Sequence, residues 1–554
     1  MIHTARQAQS DQDPQCRKIS SSDLICWSMY SAGHSTIVDI AEPHHDQNRF
    51  ESVLGAFSLL VFGLAIAVPR YLHGPIFGDE GFLASGADRV LLGELPNRDF
   101  VSLQPPFSFY AVAFVFKFVE PSLAVLRGLG LVLQEAVLLS TYFFATRLTR
   151  PFAAALGVAP LAITGMALQK FVPYAVWFGL FWAMLAAGLL LGAVEKRSSR
   201  WAVGSAIATA ATLLSRHDQG FYLCIAIGSF AVARWFLCPA ERPALLCLAR
   251  VWLACLAAAS CLPIFSWVIT GSLPAVMDQL ILFPLTRYAE TSAIPWPEMG
   301  HADKWLPNSL YYLPAVAIAG SLISLAYQLL RAKSRDSVRV AALIFAAALC
   351  ALFYAQVFAR TDLFHLVITL PPCYVLMSLG IGGLDKQCLK SFPGAAPRVA
   401  VWATMTLTIA FACKMLAPHF INELPSDARP LELDRGGVWL SEFDAQRFER
   451  AARFIDKRVP KDGSILALPY EPIFYFLSER RNPSRWLYLW PGDQTPADHD
   501  ALIRAAQADP PAIVILDQPE KLRQSAPAIL EYVENEFEAV ASVRSTVYFV
   551  RRSP

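Results

Sequence analysis

Eleven apolar runs dominate the chain between residues 53 and 418. A membrane-spanning helix needs about 20 consecutive apolar residues, and a chain with many such runs folds as a helical bundle in a bilayer. The composition agrees, since 55% of the 554 residues are hydrophobic and 17% are charged. The runs cover residues 53–69, 123–146, 152–169, 172–194, 201–215, 219–237, 247–270, 309–330, 338–358, 363–384 and 399–418.

The distribution of Lys and Arg predicts how these runs are oriented. A further apolar segment, residues 106–119, is short and contains Lys117. If this segment does not cross and the N-terminus is cytoplasmic, the cytoplasmic loops carry most of the Lys and Arg, as the positive-inside rule requires. If it crossed, every later loop would change sides. We therefore predict eleven spans, with residues 106–119 as a juxtamembrane helix half sunk in the outer leaflet.

This topology divides the chain into three parts. The first is polar, and we expect it to be a disordered cytoplasmic tail. The second is the transmembrane domain, and it carries two outer loops. The third is a small extracytoplasmic domain. The predicted ranges are 1–50 for the tail, 51–420 for the transmembrane domain with outer loops at 70–120 and 271–308, and 421–554 for the outer domain.

The C-terminal part alternates helical and strand-like patterns, which indicates an α/β unit. Helices are predicted at 443–459 and, after the capping residue Thr495, at 495–507; strands are predicted at 464–469, 512–517 and 545–552. The aromatic and basic segment 469–486 is expected to bind a glycan or to dock this domain on the membrane. The predicted fold class is thus mostly α: a polytopic bundle of about eleven transmembrane helices, a juxtamembrane helical outer loop and a small C-terminal α/β domain.

Ionisable residues gather on the predicted outer side, in the first outer loop and in three tight turns. Any one of them could be an ordinary charge at a span end or a helix start. As a set on one face they indicate a functional site, because ionisable residues near lipid are costly. They are Asp79 and Glu80 in the loop, and Lys170, Arg216, His217, Asp218, Arg360, Asp362 and His365 in the turns.

Carboxylates beside several cations suit one kind of reaction. A carboxylate can take the proton of an attacking hydroxyl, and cations can stabilise the charge on a departing phosphate. With apolar sequence alongside, this set indicates a lipid-phosphate donor. The chain has no GxGxxG or P-loop pattern, no CxxC pair and a net charge of +2, so nothing indicates a nucleotide donor, a zinc site or a nucleic-acid partner.

The stretch "DEGFLASGADRVLLGELPNRDFVSLQPPFSFY" (79–110) resembles the first outer loop of GT-C glycosyltransferases. It is most similar to bacterial proteins related to protein O-mannosyltransferases and the lipid A aminoarabinose transferase. The shared pattern is an acidic pair after the first span, a helix ending in G-x-x-P-x-R-D-F, a Pro-Pro pair and an aromatic helix. The turns "SRHDQGFY" and "RTDLFHL" are similar to other outer-turn motifs of these proteins. The resemblance covers roughly residues 50–420.

The resemblance implies an inverting transfer of a sugar from a polyprenyl-phosphate donor to an acceptor hydroxyl on the outer face of the membrane. The implied base is Asp79 or Glu80, of which the first is favoured. Relatives often carry a Lys where this chain has Gln104, so one phosphate contact is missing. The expected donor-phosphate ligands are Lys170, Arg216, His217, Arg360 and His365; the expected supporting residues are Asp88, Arg98, Asp99, Gln104, Asp218 and Asp362.

Other functions stay open at this point. A multi-pass secondary transporter would have as many spans, although it should show internal repeats, and none is visible. A different cell-envelope glycan ligase would concentrate its key residues in a late outer loop, but residues 271–308 are weakly charged. A non-catalytic assembly protein is a further alternative.

The resemblance also implies where the protein works and what it meets. The expected partners are a polyprenyl-phosphate sugar, membrane lipids and a glycan, lipid or protein acceptor. The expected location is the bacterial inner membrane, with a cytoplasmic N-terminus and a periplasmic C-terminal domain. No metal site and no cofactor are predicted, and a divalent cation is left open.

Overall fold

The computed structural model describes residues 45–165, 171–288, 291, 293–297, 308–331, 337–391, 395–421 and 425–552. Most of the predicted N-terminal tail and Lys170, one of the predicted donor ligands, lie outside these ranges. Residues Phe50–Pro554 form one compact unit.

The described chain is mainly helical. The helices are α1 His45–Ala67, α2 Gly78–Leu91, α3 Phe107–Phe118, α4 Leu123–Thr146, α5 Pro151–Val158, α6 Leu161–Thr164, α7 Ala175–Glu195, α8 Ser199–Ser215, α9 His217–Leu237, α10 Arg242–Ile269, α11 Leu273–Met277, α12 Phe283–Thr286, α13 Leu313–Arg331, α14 Ser337–Tyr354, α15 Gln356–Ala359, α16 Leu363–Val367, α17 Leu370–Ser391, α18 Ala395–Phe420, α19 Glu442–Asp456, α20 Ile473–Ser478, α21 Pro496–Ala508, α22 Pro519–Ser525 and α23 Pro527–Glu536.

Eight helices in the described ranges are long and apolar enough to cross a membrane, and each coincides with a predicted span. The other three predicted spans are shorter or divided. The run 152–169 contains α5 and α6, which are separated at Pro160, where a proline cannot continue the hydrogen-bond ladder. The run 201–215 is α8, of 17 residues. The run 363–384 begins as α16 and restarts as α17, whose first turn contains two prolines.

The segment predicted to be the first outer loop contains two helices, as the sequence predicts. The second of them, α3, has 12 residues and is too short to span a bilayer. The first, α2, begins with Asp79 and Glu80 in its first turn, where the helix dipole favours negative charge. The backbone N–H of Phe77 donates to Glu80 Oε2 at 3.1 Å, which fixes this helix start.

The C-terminal residues form an α/β unit around a four-stranded sheet of order β3-β4-β6-β5. Strands β3 and β4 are parallel and the other two pairings are antiparallel. A two-stranded ladder, β1 with β2, precedes this sheet. The strands are β1 Arg429–Pro430, β2 Trp439–Leu440, β3 Ile465–Leu468, β4 Ile513–Asp517, β5 Phe537–Val543 and β6 Thr546–Arg551.

Alternate side chains of the central strands pack into two different hydrophobic cores, because successive side chains of a strand point to opposite faces of the sheet. Leu466 and Leu468 pack with Leu502 of α21 and Ile529 of α23. Ile465 and Ala467 belong instead to the large core that continues into the membrane helices. The predicted strands and the Thr495 cap, which accepts from the N–H of Asp498, are confirmed.

Candidate functional site

The two acids at the start of α2 have different surroundings. Glu80 is completely buried, and its two oxygens accept hydrogen bonds from Arg127 Nε at 2.6 Å and Nη2 at 2.9 Å. Arg127, also completely buried, donates to the carbonyl oxygens of Gly74 and Pro75 as well. Glu80 therefore ties the start of α2 to α4 in a closed ion pair.

Asp79 has a different partner, which comes from the C-terminal unit. Its Oδ1 accepts a hydrogen bond from the hydroxyl of Tyr470. The ring of Tyr470 packs edge-on against Tyr488 and Trp490, at centroid distances of 5.2 and 5.9 Å. Tyr488 in turn packs on Phe82, one turn along α2 from Asp79. Asp79 is thus held beside an aromatic cluster formed by the C-terminal domain.

The segment 469–486, expected to bind a glycan or the membrane, packs on the first outer loop. Ser85 Oγ donates to the carbonyl oxygen of Pro472 at 2.8 Å. The backbone N–H of Val101 donates to the carbonyl oxygen of Arg485 at 2.9 Å. A Cβ at Gly81 would lie 2.2 Å from the backbone nitrogen of Ile473. The two backbones therefore approach so closely that only glycine fits at this contact.

Hydrogen bonds join Arg360 and Asp362, in the turn between α15 and α16, to His365 in α16. Arg360 Nε donates to Asp362 Oδ2 at 2.7 Å, and Asp362 Oδ1 accepts from the backbone N–H of His365 at 2.8 Å. His365 Nδ1 lies 2.8 Å from the same oxygen. Although burial opposes it, the hydrogen bonds from His365 and the charge of Arg360 lower the pKa of Asp362. The carboxylate is therefore ionised and orients both the Arg360 guanidinium and the His365 ring.

Electrostatic interactions connect this turn to Asp79. Burial raises the pKa of Tyr470 well above its usual value, Asp79 raises it further through its charge and the hydrogen bond, and the charge of Arg360 lowers it. The Tyr470 hydroxyl is therefore close enough to both Asp79 and Arg360 to sense their charges. The predicted base is therefore in contact with Tyr470, and the predicted phosphate ligand Arg360 lies within electrostatic range of that hydroxyl.

Arg216 and Asp218 form a second tight turn, at the start of α9. Arg216 Nε donates to Asp218 Oδ1 at 2.9 Å. Tyr288, which follows α12, interacts electrostatically with Arg216 and also with Tyr488 of the aromatic cluster. Tyr288 therefore lies within electrostatic range of both Arg216 and the aromatic cluster.

Two neighbours of Arg216 have buried polar atoms. The Nδ1 of His217 and both amide atoms of Gln219 are buried and find no hydrogen-bond partner within the described residues. Buried polar groups are normally hydrogen-bonded, and leaving one unsatisfied costs about 1–3 kcal/mol. Polar atoms remain available here beside a predicted phosphate ligand.

Asp493 was not among the residues selected from the sequence. Burial raises its pKa to about 6, while the hydrogen bond from Thr291 and the charges of Arg287 and Arg360 oppose that rise. Thr291 Oγ1 lies 3.4 Å from Asp493 Oδ1, so the outer loop after α12 meets the C-terminal domain here. The sequence shows only an aspartate in a Pro-Gly-Asp turn, which is typical of any surface turn.

The predicted supporting residues of the first loop have local partners. Asp88 pairs with Arg435. Asp88 is nine residues after Asp79 in α2, which separates the two by about 13 Å along the helix axis. Arg98 pairs with Asp99 at 2.8 Å, and Asp99 Oδ2 also accepts from the N–H of Leu95. The backbone carbonyl of Gln104 accepts from Ser102 Oγ at 2.9 Å. These contacts shape the loop and its junction with the C-terminal domain.

Chemically, a carboxylate such as that of Asp79 can accept a proton, and guanidinium groups such as those of Arg360 and Arg216 can bind an anion. Both arginines are only partly exposed, so their charges are screened less than on an open surface. Within the described residues, no group of three or more His, Cys, Asp or Glu is placed to hold a metal ion.

No family model and no curated protein sequence matches the chain. Its structure is similar to the archaeal oligosaccharyltransferase AglB from Archaeoglobus fulgidus in complex with an inhibitory peptide and a dolichol-phosphate, with a TM-score of 0.54 and 13% identity over 91% of this chain and 74% of that chain. The structure of the same enzyme tethered to an acceptor peptide gives a TM-score of 0.53 and 12% identity over 92% of this chain and 74% of that chain.

A weaker likeness is to ArnT from Cupriavidus metallidurans in the apo state, with a TM-score of 0.49 and 14% identity over 91% of this chain and 98% of that chain. At these identities the likeness to AglB is one of fold, and it extends over both the membrane helices and the C-terminal part. The chain therefore has a polytopic helical fold similar to that of AglB.

Proposed function

We propose that the protein is a membrane glycosyltransferase that moves a sugar from a polyprenyl-phosphate donor to an acceptor hydroxyl, with inversion. The observation that carries the proposal is the carboxylate of Asp79, already hydrogen-bonded to a hydroxyl and within electrostatic reach of Arg360 through Tyr470. A carboxylate held within hydrogen-bond reach of an acceptor hydroxyl can take its proton, which is the role proposed for Asp79. The AglB structure with bound dolichol-phosphate supports a lipid phosphate as the donor.

In the proposed step, Asp79 takes the proton of the acceptor hydroxyl as its oxygen attacks the anomeric carbon. The bond between that carbon and the phosphate oxygen breaks, and the polyprenyl phosphate leaves with the electron pair. Arg360 and Arg216 stabilise the negative charge on the leaving phosphate, since Arg–phosphate pairs are charge-assisted and bidentate. Attack from the face opposite the phosphate inverts the anomeric centre.

The other predicted residues keep narrower roles in this proposal. His217 and His365 contact the donor beside their arginines, and Lys170, outside the described residues, is a further phosphate ligand. Glu80 positions Asp79 through its pair with Arg127. Asp362 and Asp218 orient the two arginines. The remaining supporting residues, Asp88, Arg98, Asp99 and Gln104, shape the loop.

The proposed setting is the bacterial inner membrane. The Lys and Arg distribution supports a cytoplasmic N-terminus, which puts the site and the C-terminal domain on the periplasmic side. The acceptor is a hydroxyl of a glycan, a lipid or a protein.

The test is complementation of a deletion strain with wild-type protein or with Asp79→Asn. Mass analysis of surface glycans and lipids should show one sugar residue missing in the deletion strain and still missing with Asp79→Asn. The matched control is Asp500→Asn, an exposed aspartate on α21, which should restore the sugar. Full restoration by Asp79→Asn would reject Asp79 as the base.

Binding of the donor lipid is measured separately. Purified Asp79→Asn should bind undecaprenyl phosphate as the wild-type protein does, because the carboxylate does not hold the phosphate. Arg360→Gln should bind it more weakly. Equal weakening in both variants would contradict the separate roles.

A further inference from the structure

The hydroxyl on Asp79 comes from the C-terminal domain. Tyr470 lies 391 residues from Asp79 along the chain, and its hydroxyl donates to Asp79 Oδ1. The domain therefore reaches the carboxylate on which the proposed reaction depends.

The packing around Tyr470 holds its ring in place. A Cβ at Gly78 would lie 2.2 Å from two carbons of this ring, so the ring lies directly on the start of α2. Two residues further on, Pro472 accepts a hydrogen bond from Ser85 Oγ at 2.8 Å. Tyr488 and Trp490 also pack edge-on against the ring. These contacts hold the ring in the position from which its hydroxyl donates to Asp79.

We propose that Tyr470 is a positioning residue that holds Asp79 Oδ1 in a fixed orientation, so that the C-terminal domain completes the active site. The proposal rests on the proposed function, in which Asp79 is the base. A hydrogen bond donated to a carboxylate favours its ionised form and fixes its side-chain rotamer. The base is then ready to accept a proton when the acceptor hydroxyl arrives.

Other titratable groups also act on the Tyr470 hydroxyl and could affect how activity depends on pH. Arg360 approaches from the turn between α15 and α16, and Tyr488 from the same domain. Asp493 and Tyr288 act on the cluster through Tyr488. None of these groups is altered by replacing Tyr470 with Phe, so a change in the pH profile reports the lost hydroxyl.

Tyr470→Phe removes the hydroxyl and keeps the ring. The matched control is Tyr532→Phe, also in the C-terminal domain, whose ring packs on Phe537 at 5.9 Å. The hydroxyl of Tyr532 makes no hydrogen bond to the residues that the structure describes, so the control changes the same atom without touching the site. Both variants are made in the full chain, and melting temperature and binding of undecaprenyl phosphate show whether the fold and the donor site are intact.

The activity readout is the initial rate of sugar transfer into membranes of the deletion strain, with lipid extract of the same organism as donor. With Tyr470→Phe we expect kcat to fall roughly 10- to 100-fold, with an unchanged KM for the donor. The acidic limb of the kcat/KM profile should move up by about one pH unit, since the ionised form of Asp79 loses a donor. Tyr532→Phe should match the wild-type protein in kcat, in the KM for the donor and in the acidic limb of the kcat/KM profile.

A spectroscopic readout does not depend on activity. The infrared carboxyl band that is present in the wild-type protein and missing in Asp79→Asn reports protonation of this residue. Its midpoint should rise by about one pH unit in Tyr470→Phe. An unmoved midpoint together with an unmoved acidic limb would overturn the proposal.

Two other results have separate meanings. If Tyr470 only occupied the place of the acceptor, Tyr470→Phe would lower the acceptor KM and raise the rate, which also overturns the positioning role. If Asp79→Asn remains fully active, the proposed function loses its base whatever Tyr470 does. If Asp79→Asn is inactive and Tyr470→Phe behaves as wild type, the proposed function stands and the role of Tyr470 is rejected.

Discussion

The buried pair between Glu80 and Arg127 gives the sharpest prediction on stability. Both side chains are completely buried, and two charge-assisted hydrogen bonds of 2.6 and 2.9 Å join them. Arg127→Met removes these bonds and leaves a buried carboxylate that still accepts a hydrogen bond from the N–H of Phe77. Removing one partner of a buried pair costs about 3–5 kcal/mol, because the remaining charge is buried without compensation.

The double variant Glu80→Leu/Arg127→Met should lose less stability than Arg127→Met alone. Two apolar side chains of similar volume leave no buried charge, and such replacements of whole pairs are often close to neutral. The coupling energy between the two positions should therefore be about 2–3 kcal/mol, well above the value for residues that do not interact. A coupling energy of this size distinguishes a buried ion pair from two residues that pack independently.

The assay is the free energy of unfolding of the purified protein in detergent, followed by melting temperature and by denaturant titration. The control is Arg523→Met, which breaks an exposed pair with Glu534 at 2.9 Å and should cost less than about 1 kcal/mol. The reasoning is refuted if Arg127→Met costs no more than this control. A double variant less stable than Arg127→Met would refute it equally.

Three further predictions concern the site and its support. Burial raises the pKa of Asp493 from 3.8 to about 6, so the stability that its protonated side chain contributes is fully present below pH 4 and is lost as the pH rises through 6. Asp493→Asn should therefore raise the free energy of unfolding at pH 8 by about 1–2 kcal/mol, a value reduced for solvent screening, and should leave it unchanged at pH 4 in melting experiments. Arg360→Gln should raise the donor KM roughly 10- to 100-fold, and Arg360→Lys less, since only the guanidinium binds phosphate bidentately; equal KM values in steady-state kinetics would contradict this. Gly81→Ala should cost about 1–3 kcal/mol in the same melting assay, because its Cβ would meet the backbone of Ile473 at 2.2 Å; Gly128→Ala, where a Cβ meets nothing within 4 Å, is the control.

The membrane helices could be predicted from the sequence because the bilayer requires every backbone polar group to be satisfied within the helix. The predictions were least accurate where prolines interrupt the runs, at Pro160 and in the first turn of α17. In the C-terminal domain, the buried strands β3 and β4 were predicted. Strand β5 was missed because it lies at the edge of the sheet and most of its residues are exposed, so it has no apolar alternation.

The site was only partly accessible from the sequence. Asp79 and Arg360 carry motif and topology signals, but Tyr470 and Asp493 reach the site only through tertiary packing across hundreds of residues. Their local sequences look like ordinary turns. Arg127 did carry a signal, because a lone arginine in the apolar run 123–146 requires a buried acidic partner.

The close seating of Tyr470 and Ile473 on Gly78 and Gly81 affects how this protein can be re-engineered. Any larger residue at either glycine would push the C-terminal domain away from the helix that carries Asp79. A chimera that takes its C-terminal domain from a distant homologue must therefore import the matching helix surface with it. The two parts are exchangeable only as a pair, and an acceptor specificity located in that domain cannot be transplanted alone.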